Sequence, residues 1–418
     1  MAKRHYIEIS GEWEVTMGEK IALGFHTCVD YELDWDLSVI EGLIRKFDVR
    51  RSEIRSDIMI DSERALLIVC LAYMIVGTGG EIIPERPEIC TDFADHFPYR
   101  ITIGGTAMRA ATAIRKIGYE SVIQTSCFNR YIKELVMPGI HYFPSVGFDH
   151  TDAYPHVILS YQANIRIQAN DIDFVTPREN RVMFSRDIDS LNMVISQDFA
   201  PMIQNAKVFL LSCFSEVLDS EIMKKRMAET RMLLRSLPED ALVVMEDGCY
   251  IVKEHRYYAH RELRGTVDIL SMNEDELQEY MERRIDILDS DEVLEAVRYA
   301  YEKSGIPTLI VHSAMWALAY GERADMLENA LRGGIALASS RFCYGDEFGV
   351  SEYETIKKLP EMDRSVEFCR QITGKASIPI RCVPTKDMRF VKNPTVVGLG
   401  DYFAGGLLPE LTEYKKRR

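Results

Sequence analysis

Five short runs rich in β-branched and aliphatic residues, at 207–211, 241–245, 268–271, 308–312 and 378–383, are separated by helical patterns at 220–236, 274–284, 290–303 and 333–339. A strand of four to six residues that is buried on both faces reads as a near-continuous apolar run. Parallel strands also need a long crossover between them, normally a helix. The alternation therefore predicts an α/β lobe with a doubly wound, mostly parallel sheet flanked by helices. The same logic holds upstream. A strand is expected over 21–29 and ends at Asp30, followed by helices over 36–47 and 62–75. A strand over 99–103 runs into Gly104-Gly105, which opens a small-residue helix over 106–117, and another strand lies at 121–125. Between 156 and 185 the character changes to short strands at 156–161, 163–168 and 181–184 separated by polar turns. This reads as a β-meander and a second, smaller lobe. At 418 residues the chain exceeds one ordinary core, in keeping with two lobes.

A net charge of -15 leaves no basic surplus for a nucleic-acid backbone, although a nucleotide needs only a local cluster of donors. The longest apolar run, 65–76, is too short to span a bilayer, which takes about 20 helical residues. The N-terminus lacks the apolar stretch of a signal peptide. Nine cysteines without a CxxC pair read as reduced thiols of a cytoplasmic protein. The nine histidines show no HExxH or other ligand spacing, so no protein-only metal cage is expected.

The chemistry concentrates in Thr395-Val396-Val397-Gly398-Leu399-Gly400-Asp401, read as a strand end, a glycine turn and a helix start. Glycines let backbone amides approach a ligand, and the first turn of a helix leaves N–H groups free for an anion. A carboxylate in that turn can take the proton of an alcohol attacking phosphorus, so the expected reaction is phosphoryl transfer to a hydroxyl. Asp30, Gly104, Gly105, Glu246, Asn273 and Glu274 also fall at predicted strand ends, where open α/β sheets bind ligands.

This order of features resembles the ribokinase-like superfamily, and within it the ADP-dependent glucokinase and phosphofructokinase family, from about residue 20 to 407. The resemblance implies that Asp401 is the catalytic base, with the amides of Gly398, Leu399 and Gly400 as an anion hole. Gly24-Phe25-His26-Thr27-Cys28-Val29-Asp30 is similar to the family's first sugar motif, which implies that Asp30 binds sugar hydroxyls. By the same carry-over Glu81, Gly104 and Gly105 contact the sugar, and Arg181 reaches it from a lid lobe. Glu246 and Glu274 attend magnesium, and Asn273 and His312 lie by the nucleotide. The implied domains are a nucleotide-binding lobe of 15–30, 104–154 and 190–418, and a lid of 155–189 with part of 31–103. The implied partners are ADP (or ATP), Mg2+ and a small sugar, with no nucleic acid and no membrane.

Three positions depart from the family's pattern. Cys28 replaces an asparagine, Val244 a histidine and Ser160 a glutamate. These changes lie mainly at the sugar end. Plainer readings also stand for several residues: Asn273 as a helix cap, His312 as a packed core histidine, Glu246 in a salt bridge, and Arg181 and Glu81 as surface charges. The expectation is an ADP-dependent kinase of glucose or fructose 6-phosphate. The alternatives are an ATP-dependent kinase of another sugar or nucleoside, or a binding protein that has lost catalysis. Glu81 favours glucose, because an acid there repels a sugar phosphate.

Overall fold

The computed structural model describes residues 20–147, 153–392 and 394–414. Asn393, the C-terminal Lys415-Lys416-Arg417-Arg418, the first five residues of the expected 15–30 segment and residues 148–152 lie outside the described residues.

A nine-stranded sheet forms the larger layer. Its order is Ile380–Pro384, Trp316–Gly321, Thr308–His312, Ile269–Asn273, Leu242–Glu246, Val208–Leu211, Ile21–Phe25, Ser121–Thr125 and Ile140–Pro144. From Thr308–His312 to Ile140–Pro144 every neighbour is parallel, while Trp316–Gly321 is antiparallel to both of its neighbours. Both faces are buried. Val208 and Leu210 point into one core, and Phe209 and Leu211 into the other. Each such side chain stabilises the fold by about 1.5–3 kcal/mol, which is why strands such as Ile21–Phe25 and Val208–Leu211 carry no polar residue.

A five-stranded sheet, ordered Gly80–Ile82, Asn180–Phe184, His156–Tyr161, Cys28–Leu33 and Tyr99–Gly104, makes the smaller layer. One face is apolar: Val29, Tyr31, Leu33, Val157, Leu159, Val182 and Phe184 pack on the helices Leu37–Lys46, Glu63–Val76 and Pro87–Ala94. The helices start and stop where their caps predict. The Asp36 carboxylate accepts from Ser38 N at 2.8 Å, and Gly77 closes its helix in the left-handed region at φ 73°. Because successive strand residues alternate sides, Cys28, Asp30 and Glu32 must lie on the other face. The register sets Asp30 beside His156, Arg181 beside Ser160 and Glu81 beside Met183 on that face.

Several elements differ from the sequence reading. The run 21–29 is two strands in two sheets, broken at His26-Thr27, so Asp30 lies within a small-sheet strand and not at the end of a large-sheet one. The meander is not continuous. His156–Tyr161 pairs directly with Asn180–Phe184, while Arg166–Ala169 and Ile172–Val175 form a separate hairpin. Residues 395–397 are loop, not strand. The helix expected over 333–339 is Glu328–Tyr344. Its glycines shortened the pattern and serve close packing instead: a Cβ on Gly333 would stand 2.5 Å from the carbonyl oxygen of Gly406.

Candidate active site

Two helices begin at the junction of the sheets, Thr106–Lys116 after Gly105 and Leu399–Leu411 after Gly398, and neither is capped by a side chain. Uncapped first turns present backbone N–H groups and the positive end of the helix dipole. Gly398 sits at φ 73° and approaches Arg109 so closely that a Cβ would lie 3.0 Å from its Nη1. Behind this turn Arg341, buried, donates through Nε to Val397 O at 2.6 Å and through Nη1 to Asp346 at 2.5 Å. The loop is thus held by a charged anchor on the helix Glu328–Tyr344.

Asp401 occupies the first turn of its helix, with its side chain 23% exposed. Burial pushes its carboxyl above the ordinary aspartate value. The Arg109 charge and a hydrogen bond from Thr106 pull the other way, and Glu246 and Asp30 add to the rise. A raised carboxyl that stays in reach of solvent and of the anion-binding turn is suited to accepting a proton.

Arg109 joins the two sheets. Its Nη2 donates to Asp30 Oδ2 at 2.5 Å and lies 3.6 Å from Glu32 Oε1, and its Nε lies 3.9 Å from Asp401 Oδ2. Burial alone would lower its pKa. The charges of Asp30 and Asp401 outweigh that, and the guanidinium stays protonated. Sequence reasoning passed over Arg109; the signal was a long cation on the apolar stripe of a small-residue helix, with Met108, Ala110 and Ala113 buried around it. Gly104 makes the Asp30 contact fit, since a Cβ there would lie 2.3 Å from both carboxylate oxygens. Gly105, at φ 86°, brings the helix start against the backbone of His26 and Thr27.

Glu81 and Arg181 come from the polar face of the small sheet. The Glu81 side chain reaches solvent, yet the surrounding protein raises its pKa; the charges of Arg181 and His156 oppose the rise, and that of Asp401 assists it. Glu216, in the turn Phe214–Glu216, belongs to the same acidic group and was not foreseen. Burial and the Glu81 charge lift it to about 7. It too follows the C-terminal end of a parallel strand, the rule that located its neighbours.

At the other end lie Glu246, Glu274, Asn273 and His312. Glu246 Oε1 is 3.5 Å from His312 Nε2, while Oε2 is buried with no partner. Burial raises the carboxyl of Glu274. His312 stacks on Phe403, with ring centroids 4.3 Å apart. Asn273 has its whole side chain engaged: Oδ1 accepts from Asp275 N and Glu276 N, and Nδ2 donates to Glu276 Oε1. What it offers the site is the placement of Glu274. Glu246, with an orphaned oxygen, and Glu274, raised by burial, both lie near His312 and are the kind of oxygen donors that fit a hard divalent cation.

Among the described residues, no helix is long and apolar enough to cross a membrane. The comparison with curated protein sequences finds no match. Solved structures do share the fold. A phosphofructokinase from Pyrococcus horikoshii OT3, in a structure with AMP, has a TM-score of 0.74 at 16% identity over 95% of this chain and 98% of that one. The last common ancestor of ADP-dependent phosphofructokinases from Methanosarcinales gives 0.71 at 15% identity over 97% and 96%. An ADP-dependent kinase complexed with fructose-6-phosphate and ADPbetaS gives 0.72 at 13% identity over 96% and 95%. The conserved region of ADP-specific phosphofructokinase/glucokinase matches residues 19–404. The chain therefore belongs to the ADP-specific phosphofructokinase/glucokinase family, a family of ADP-dependent sugar kinases.

Proposed function

We propose that this protein transfers the terminal phosphoryl group of ADP to a hydroxyl of an unphosphorylated hexose, glucose or a close relative, with Asp401 as the base. The observation that carries this reading is the Asp401 carboxylate, raised by burial, at the uncapped start of its helix and within 3.9 Å of Arg109. Asp401 accepts the acceptor's hydroxyl proton, the resulting oxygen attacks the β-phosphorus, and AMP leaves. The amides of Gly398, Leu399 and Gly400 hold the charge that develops on the transferring group.

Asp30, fixed by Arg109, and the Gly104 and Gly105 backbone orient the acceptor, with Glu81 and Arg181 at its rim. Glu246 and Glu274 are the residues suited to magnesium, which when bound neutralises phosphate charge. His312 and Asn273 position those two carboxylates beside the nucleotide. The small lobe, residues 155–189 with part of 31–103, acts as a lid that limits hydrolysis of ADP by water. With nine reduced cysteines, the cytosol is the expected compartment.

The acidic group supports a neutral acceptor. Asp30, Glu32, Glu81 and Glu216 outnumber the cations Arg109, Arg181 and His156 at this end of the site, which disfavours a sugar phosphate dianion. The test crosses ADP and ATP with glucose, fructose 6-phosphate and a panel of sugars and nucleosides, with magnesium, identifying products by mass. ADP-dependent phosphorylation of glucose is expected. Turnover of fructose 6-phosphate in its place refutes the acceptor, and turnover with ATP alone refutes the donor.

A further inference from the structure

Beside the acceptor end, three side chains that no linear spacing connects come together. A ring nitrogen of His26, the sulfur of Cys28 and a ring nitrogen of His156 all lie within 4.8 Å of one another. His26 and Cys28 flank the step between the two sheets, and the parallel register of Cys28–Leu33 with His156–Tyr161 brings His156 to them. We propose that His26, Cys28 and His156 bind a borderline-soft divalent transition-metal ion, zinc being the simplest occupant, at a site separate from the magnesium position and independent of the kinase reading.

Three observations support a ligand site over a chance cluster. His26 Nε2 is buried and has no hydrogen-bond partner, an arrangement that leaves a lone pair or an N–H unsatisfied. His156 Nε2 lies 3.2 Å from Asp187 Oδ2, so with that pairing kept Nδ1 is the nitrogen that would ligate, and Asp187 supplies the carboxylate that metal-bound histidines usually engage behind the ring. Asp187 is itself fixed, accepting from Asp189 N at 2.9 Å, Ser190 N at 3.2 Å and Ser190 Oγ at 2.6 Å. The donor set, two imidazoles and a thiolate, is one that zinc prefers, and three protein ligands leave a tetrahedral ion one open position.

Ligands around a tetrahedral zinc stand about 3.5 Å apart, so the side chains must close by about 1 Å, within reach of χ rotation. In the metal-free protein burial and Asp30 push the Cys28 thiol well up, and Asp187 outweighs burial at His156 and lifts it to about 9, so metal binding must displace a proton from each. A bound cation replaces the proton on Nδ1 of His156, leaves Nε2–H on Asp187, and draws the Cys28 sulfur from Asp30 Oδ1, now 3.3 Å away.

The test uses the full chain and the metals alone. Purified protein, stripped by chelator and then dialysed against zinc, is expected to retain one zinc per chain. Cobalt(II) titration should give a sulfur-to-cobalt charge-transfer band and the intense visible bands of a four-coordinate ion. Cys28→Ser should abolish the charge-transfer band, and His26→Gln should lower zinc affinity at least tenfold. Asp187→Asn, which leaves all three ligands in place, should lower it about 10–100-fold. Thermal melting of the metal-free variants identifies any that fail to fold, and the near-isosteric Cys28→Ser keeps the test decisive if a histidine variant does. No stoichiometric zinc in the wild type, or a charge-transfer band that survives Cys28→Ser, overturns the proposal.

Discussion

Removing the Arg109 charge tests the electrostatic frame of the site. The guanidinium, whose side chain is 7% exposed, is flanked by Asp30 at 2.5 Å, Glu32 at 3.6 Å and Asp401 at 3.9 Å. Arg109→Met keeps much of the side-chain volume and leaves the buried Asp30 and the partly exposed Glu32 and Asp401 without their shared cation. Two charges about 4 Å apart at an effective dielectric of 20 interact by about 4 kcal/mol. Losing one member of a buried pair costs about 3–5 kcal/mol, because the remaining charge keeps its desolvation penalty. The single variant is expected to lose that much stability in urea unfolding followed by circular dichroism. Adding Asp30→Asn removes the most tightly held of the stranded charges, so the double variant should be more stable than the sum of the two singles by about 2 kcal/mol. Additivity within about 0.5 kcal/mol would refute the account, since it would mean that the residues act independently. In the same variant, Asp401 loses the cation that lowers its pKa, so the acidic limb of the rate profile should move to higher pH.

Three further outcomes are expected. Gly104→Ala puts a methyl 2.3 Å from the Asp30 carboxylate, so the KM for the acceptor should rise while that for ADP stays unchanged; a change confined to ADP contradicts the placement. Glu246→Gln should weaken magnesium activation without altering the melting temperature measured in chelator, because the orphaned Oε2 makes no structural bond. For metal-free protein, the raised His156 contributes stability in full below its unfolded value of 6.5, and this is lost as pH rises through about 9. The loss amounts to about 3 kcal/mol. It should appear as a fall in melting temperature between those pH values that is absent in His156→Gln.

Much of this architecture was legible because its signals are local. The parallel strands are continuous apolar runs since both faces are buried, and Asp36, Ser62 and Gly77 mark helix ends by chemistry that needs no tertiary contact. The break at His26-Thr27 was hidden for the opposite reason. Cys28 and Val29 extend the apolar run of Ile21–Phe25, and no glycine or proline marks the passage between sheets. Trp316–Gly321, which the sequence reading left out, runs antiparallel to the preceding Thr308–His312 and to Ile380–Pro384 about sixty residues on.

The site divides in the same way. Strand-end position and the glycine turn pointed to Asp401, Glu246 and Glu274, because ligand sites in open α/β sheets follow from topology. Arg109 and Arg341 are invisible by that rule, as each lies within a helix and gains its meaning only from carboxylates and carbonyls on other elements. The His26, Cys28 and His156 cluster likewise needs a strand register that joins residues about 130 positions apart.

The most direct measurement is AMP formation from ADP and glucose with magnesium, by the wild type and by Asp401→Asn. The account predicts AMP and glucose phosphate in equal amounts from the wild type. The variant should slow by about 10²–10⁴-fold while binding ADP with unchanged affinity. Wild-type rates from Asp401→Asn would contradict it.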